Sequence, residues 1–300
     1  MQEIYDGFCS FLIKKKKSSD NTLASYKRDV MNFLVYLQSN NIDDISAVDG
    51  SIIDSYIKTL KKAGKSTSTI SRNLSSLRCF FKYLISKKIL TFSPMIGVKN
   101  DKKTSSNLPE ILSASEVATL LSSPDCRTDK GIRDKAMLEV MYATGARVSE
   151  LLSMKTHDVN LEIGYIIINK GTSKERIVPI YPLAAECLSN YLNSVRATLV
   201  TKSSHTDVLF LNTNGCEMTR QGFWKIIKSY AKSSNIRQDI TPKSLRHSFA
   251  THLLENGADI HMIKDMLGHS AISSTMVYTK VLKNKYLSVY ENCHPRAKQI

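Results

Sequence analysis

Tyr165-Ile166-Ile167-Ile168-Asn169-Lys170-Gly171-Thr172-Ser173-Lys174-Glu175-Arg176-Ile177-Val178-Pro179-Ile180 is the stretch that interrupts an otherwise helical pattern in this 300-residue chain. Two short β-branched runs, 165–168 and 176–180, flank the turn-like Lys170-Gly171-Thr172-Ser173, and together they predict a β-hairpin. On its C-terminal side, apolar residues recur at three- and four-residue steps. That period predicts helices over Pro182–Val195, Thr219–Ala231, Lys243–Glu255 and Asp259–Leu267. The C-terminal part is therefore expected to be mostly α with a small antiparallel sheet.

Before the hairpin the helical period is cleaner. Leu23, Tyr26, Val30, Phe33, Leu34 and Leu37 form one apolar stripe. Ile52, Ile53, Tyr56, Ile57 and Leu60 form a second behind the cap candidate Asp49, and Ile70, Leu74, Leu77, Phe81 and Leu84 a third behind Ser66 and Thr67. With Ile4–Ile13 they predict a four-helix bundle over residues 1–92. Residues 93–109 hold Pro94, Gly97, the polar run 99–107 and Pro109, the composition of a linker. Residues 110–300 then make a second domain.

Charge narrows the partners. The chain carries 42 basic and 27 acidic residues, a net +15, and a pI near 9.5. Such a field attracts polyanions, either nucleic acid or an anionic membrane surface. Through residue 107 there are 18 basic and 9 acidic residues, so the smaller domain is the more densely positive. Spread over several helices, this excess suits a surface laid along double-stranded DNA, with Lys14, Lys27, Arg28, Lys65, Arg72, Arg78 and Lys82 as candidate backbone contacts.

Other function classes lack their signatures. No GxxxxGK[ST], GxGxxG, HExxH or GxSxG is present. Six separated cysteines without a CxxC pair argue against a zinc or redox site. No run approaches the roughly 18 apolar residues of a membrane helix, and Met1–Phe11 does not read as a signal peptide. A cytoplasmic protein with no metal and no cofactor is expected.

What remains is a set of cations in distinctive segments. Ala143-Thr144-Gly145-Ala146-Arg147-Val148-Ser149-Glu150-Leu151 sets Arg147 just after a glycine break, at a helix start. Pro242-Lys243-Ser244-Leu245-Arg246 sets Arg246 in the first turn of another helix. Leu267-Gly268-His269 ends a helix on glycine, and Tyr278 follows nine positions after His269.

Segments 143–151, 170–179, 241–254 and 267–279 resemble the active-site boxes of the tyrosine recombinase (phage integrase) family, nearest its Xer-like branch. The resemblance runs over most of the chain, four boxes in order. It implies that Arg147 and Arg246 grip a scissile DNA phosphate, that Lys170 protonates the leaving 5′-oxygen and that His269 hydrogen-bonds the phosphate or positions Tyr278. Tyr278 then forms a covalent 3′-phosphotyrosyl link. Guanidinium forks match phosphate oxygens and stay charged at any working pH. Because the ester stores the bond energy, rejoining needs no ATP, consistent with the missing phosphate-binding loop.

One position departs from the pattern: Lys243 stands where most members carry a histidine. A charged lysine cannot accept the tyrosine's proton; it can touch phosphate, or take the proton if neighbouring cations depress its pKa. The departure leaves the general base open and admits two alternatives, a type IB topoisomerase-like relaxing enzyme and a catalytically inactive DNA-binding relative. The family further implies strand exchange through Holliday junctions in a tetramer on two DNA sites. A tail stripe, Leu282, Tyr286, Val289 and Tyr290, would then dock on a neighbouring protomer or, most simply, on its own domain.

Overall fold

The computed structural model describes residues 1–14, 20–98, 110–202, 206–236, 240–276 and 278. The expected linker from residue 99 onward, Lys15–Lys17 and the tail stripe 282–290 lie outside the described residues. The chain separates into two compact units, Met1–Ser106 and Asn107–Ile300.

The first unit holds the four predicted helices, α1 (Gln2–Lys14), α2 (Asp20–Ser39), α3 (Gly50–Lys62) and α4 (Thr67–Ser86). Their starts are set locally: Asp49 accepts from the Ile52 N–H at 3.0 Å, and Ser66 from that of Thr69 at 3.2 Å, filling donors that a first turn leaves unpaired. The stripes converge on Phe8, Phe33, Leu37, Ile53, Leu77, Phe80, Phe81 and Leu84, all fully buried. Phe8 meets Phe80 edge-on, ring centres 5.2 Å apart, the arrangement ring quadrupoles favour.

One polar knot lies inside this core. The Asp29 carboxylate, buried in α2, accepts from Arg72 Nη1 at 2.6 Å, Asn73 Nδ2 at 3.1 Å and Ser76 Oγ at 2.8 Å. A carboxylate taken out of water demands such compensation. Arg72, read from sequence as a DNA contact, therefore holds α4 to α2. Arg78 donates to the Val98 carbonyl at 3.1 Å. Lys14, Arg28, Lys65 and Lys82 are exposed and Lys27 half-buried.

The second unit contains α5 (Ala114–Ser122), α6 (Asp129–Thr144), α7 (Val148–Ser153), β1 (Val159–Asn160), β2 (Tyr165–Ile168), β3 (Arg176–Pro179), α8 (Pro182–Asn190), α9 (Ala197–Val200), α10 (Arg220–Ser233), α11 (Pro242–Glu255) and α12 (Ile260–Leu267). The predicted hairpin forms, with Tyr165 opposite Pro179 and Ile168 opposite Arg176. A short strand missed in the sequence, β1, pairs antiparallel on the other edge of β2 and makes the sheet three-stranded. The helix expected over 182–195 is α8 continued by a π-helical turn, Tyr191–Arg196.

α6 is the central helix. Most of its residues are buried, among them Arg133, Asp134 and Glu139, and it packs against α5, α8 and α11. It stops at Gly145, whose φ of +58° is left-handed. A Cβ there would lie 2.4 Å from Phe249 of α11. Glycine is thus required twice, for the turn and for the close approach.

Candidate active site

The glycine stop lets the chain turn at once into α7, with Arg147 at its N-cap. Three residues on, Glu150 reaches back to accept from the Arg147 N–H at 2.8 Å, the third-position half of a capping box. The same carboxylate accepts from Arg147 Nη1 at 2.8 Å, from Arg176 Nη1 and Nη2 at 3.2 and 2.7 Å, and from Asn169 Nδ2 at 3.1 Å. Arg246 Nη1 lies 3.9 Å from it. Burial alone would raise this carboxyl, but the donors and the Arg176 charge outweigh it and pull it down to about 2. One buried anion thus holds three guanidiniums in a single patch.

Arg246 enters from the first turn of α11, which Thr241 caps by accepting from the Ser244 N–H at 3.3 Å. Its Nη1 donates to the Gly145 carbonyl at 2.6 Å, and its Nη2 to the Leu267 carbonyl at 2.7 Å and to His269 Nε2 at 3.0 Å. Two helix C-termini, those of α6 and α12, therefore aim carbonyls at one buried guanidinium. Arg147 Nη2 donates to Gly268 O at 3.3 Å, which draws the first arginine to the same place.

The Arg246 contact fixes the His269 tautomer. A guanidinium only donates, so Nε2 accepts, and the proton sits on Nδ1, 2.9 Å from Thr275 Oγ1. Burial, then Arg246 and Arg147, hold this imidazole down to about 4, so it is neutral. Tyr278 is 1 % exposed, and its phenol lies 2.9 Å from His247 Nδ1. Burial raises the phenol above its ordinary value, against the lowering pull of Arg246 and Arg147.

The structure thus brings Arg147, Arg246, His269 and Tyr278 together. Lys170 stands apart in the β2–β3 turn, exposed, its Nζ 3.5 Å from the His157 carbonyl. It shares with Glu150 and Asn169 the lining of a cavity of about 310 Å³. Lys243 is exposed on α11, one turn before His247, and its charge reaches that imidazole. Glu150, Arg176, Thr275 and His247 were missed. The Arg-x-x-Glu spacing of a helix start signals Glu150; the other three carry no such local mark. Among the described residues no group of His, Cys, Asp and Glu could hold a metal ion. No helix among them is long and apolar enough to cross a membrane.

The phage integrase family matches residues 110–285, and its N-terminal SAM-like domain residues 5–88. The chain belongs to the phage integrase family. Among curated relatives, the tyrosine recombinase XerD of Listeria innocua is 44 % identical over 299 residues, covering 99 % of this chain and all of the relative. That of Oceanobacillus iheyensis is 45 % identical over 296 residues, with 97 % and 98 % covered. The crystal structure of the XerH site-specific recombinase bound to palindromic difH substrate, a post-cleavage complex, aligns with a TM-score of 0.77 at 22 % identity, covering 90 % of this chain and 79 % of that one. It shares the fold. This integrase-family member is a site-specific tyrosine recombinase that acts on DNA, and the relaxing-enzyme alternative finds no support in these relatives.

Proposed function

We propose that this recombinase cuts and rejoins double-stranded DNA in the cytoplasm by transesterification at Tyr278, with Arg147 and Arg246 as the phosphate clamp. The observation that carries this reading is the joint anchoring of both guanidiniums and His269 around the ends of α6 and α12, with the Tyr278 phenol bonded to His247 of α11 within the field of both arginines. A phosphodiester repels nucleophiles, and fixed cations neutralise the charge that builds on its equatorial oxygens. Tyr278 Oη attacks phosphorus, the 5′-oxygen leaves with a proton from Lys170, and the 3′-phosphotyrosyl ester keeps the strand joined to the protein. Attack by a partner strand's 5′-hydroxyl reverses the step and passes through a Holliday junction.

Strand exchange calls for four copies on two sites. The second unit offers an apolar cavity of about 430 Å³ lined by Tyr142, Val178, Ile180, Phe249, Leu253 and Met266. It suits the apolar tail residues Leu282, Tyr286, Val289 and Tyr290 of a neighbouring protomer. Exposed Lys14, Arg28, Lys65 and Lys82 of the first unit follow the DNA backbone, joined by Lys27 and Arg78.

The test is a duplex nicked beside the cleavage position, so that the short product escapes and the adduct is trapped. The chain yields a covalent protein–DNA species on it, and Tyr278→Phe yields none. An adduct formed by the Phe variant would remove Tyr278 from the role.

A further inference from the structure

We propose that His247 is the catalytic base that takes the Tyr278 proton. The inference rests on the recombinase reading above and assigns a group that reading leaves unnamed. His247 Nδ1 lies 2.9 Å from Tyr278 Oη, and the two rings are 5.5 Å apart, inclined at 57°. This is the reach a general base needs, and among the described residues it is the hydrogen bond the phenol makes.

The neighbouring groups are unsuited. Lys243 is exposed, and among the described residues the phenol's hydrogen bond goes to His247 rather than to it. His269 has both ring nitrogens engaged, Nε2 accepting from Arg246 and Nδ1 donating to Thr275. A guanidinium has donors and no acceptor, so Arg147 and Arg246 are unsuited as well. His247 is the remaining imidazole of the site, and it is neutral: burial, then Lys243 and Arg246 on its own helix and His269 from the turn after α12, hold it down to about 4. In this role Nδ1 accepts from the phenol O–H, and the ring's own proton sits on Nε2.

The same cations time the transfer. A phosphate seated against Arg246 cancels part of the positive field that holds His247 low, so DNA binding raises the proton affinity of the imidazole beside the nucleophile. The Arg147 side chain, 43 % exposed, is the open edge of the cluster where that phosphate enters. As the Oη–P bond forms and the P–O5′ bond breaks, the phenolic proton passes to His247 Nδ1, and the 5′-oxygen takes one from Lys170. In rejoining, the imidazolium returns its proton to Tyr278. Lys243 and His247 lie four residues apart on one face of α11, so the base stands one helical turn beyond the family's usual histidine position.

The experiment measures single-turnover adduct formation by the full chain on a nicked duplex carrying the sequence at which wild type forms its adduct. DNA affinity and Tm are measured alongside. His247→Asn, which keeps a polar atom near the Nδ1 position but is no base, is expected to cleave about 10²–10⁴-fold more slowly with DNA affinity and Tm close to wild type. His247→Ala opens room for added imidazole, which restores cleavage in proportion to its neutral form. Cleavage by His247→Asn within threefold of wild type would overturn the assignment, and so would a defect in His247→Ala that imidazole leaves unchanged. If wild type forms an adduct that Tyr278→Phe abolishes while the His247 variants behave as wild type, the base assignment alone is lost. If wild type forms none, the recombinase chemistry falls and takes the assignment with it.

Discussion

The two units of this protein put their charges in opposite places. Among the described residues of the first unit, Asp29 is the single buried charged side chain; its lysines face outward from an aromatic and aliphatic core. The second unit buries Arg133, Asp134, Glu139, Glu150, Asp158 and Arg246. Several of these form compensated sets: Arg133 Nη2 lies 2.6 Å from Asp134, Glu139 meets Lys135 and Tyr181, and Glu150 gathers three arginines. On the function proposed above, the first unit grips a DNA backbone, a task suited to mobile, hydrated cations whose attraction is long-ranged and tolerant of position. A unit that stabilises a transition state needs cations fixed within a fraction of an ångström, which water and free side chains cannot hold.

The contrast is sharpest in cleavage. Arg246→Ala should slow single-turnover adduct formation by about 10²–10³-fold or more while leaving DNA affinity within a few-fold, since the role proposed for it is in the transition state. An equal drop in both measurements would place Arg246 in ground-state binding and blur the distinction between the units.

Asp29 is the exception in the first unit and the place to break the comparison. Asp29→Ala removes the anion that Arg72, Asn73 and Ser76 share, leaving buried donors unpaired. It should lower the stability of that unit by about 3 kcal/mol, read as a lower denaturant midpoint of the N-terminal transition. A neutral result would mean that Arg72 re-extends into water and the knot contributes nothing.

Binding should show the opposite behaviour to cleavage. Replacing Lys14, Lys65 and Lys82 with Ala should weaken binding at low salt on any DNA sequence. The slope of log affinity against log salt should fall by about one for each phosphate that is no longer neutralised. The adduct-forming rate at saturating DNA should stay near wild type. A sequence-dependent weakening would give these lysines a readout role.

The smallest effect concerns acid. Glu150 stands at about 2 in the folded protein against an ordinary 4.5, so its stabilisation is complete above the unfolded value and disappears as pH falls towards 2. The Tm difference between wild type and Glu150→Gln should therefore be constant near neutrality and shrink between about pH 4.5 and 2. A difference independent of pH would detach the carboxylate's charge from the folding of the patch.

How legible each unit was follows from the same division. α1 to α4 each bury one face, so the apolar period and caps such as Asp49 and Ser66 reveal them. α6 is buried nearly all round, leaving no stripe to read. β1 has two residues, too short for any alternation. Arg147, Arg246, His269 and Tyr278 are singled out because their segments resemble family boxes; single arginines or tyrosines carry no such mark.

By itself the sequence determined the helical bundle and the hairpin, because periodicity and turn residues are local properties of a chain, and the chemistry class through the resemblance of its boxes to a family. Tertiary structure alone decided which groups share a proton or a charge. Glu150 and Arg176 lie 26 residues apart in sequence, and His247 and Tyr278 lie 31 apart. The first pair joins α7 to β3, and the second joins α11 to the segment that follows α12. Hydrogen bonds act over about 3 Å, a separation that the order of residues does not encode.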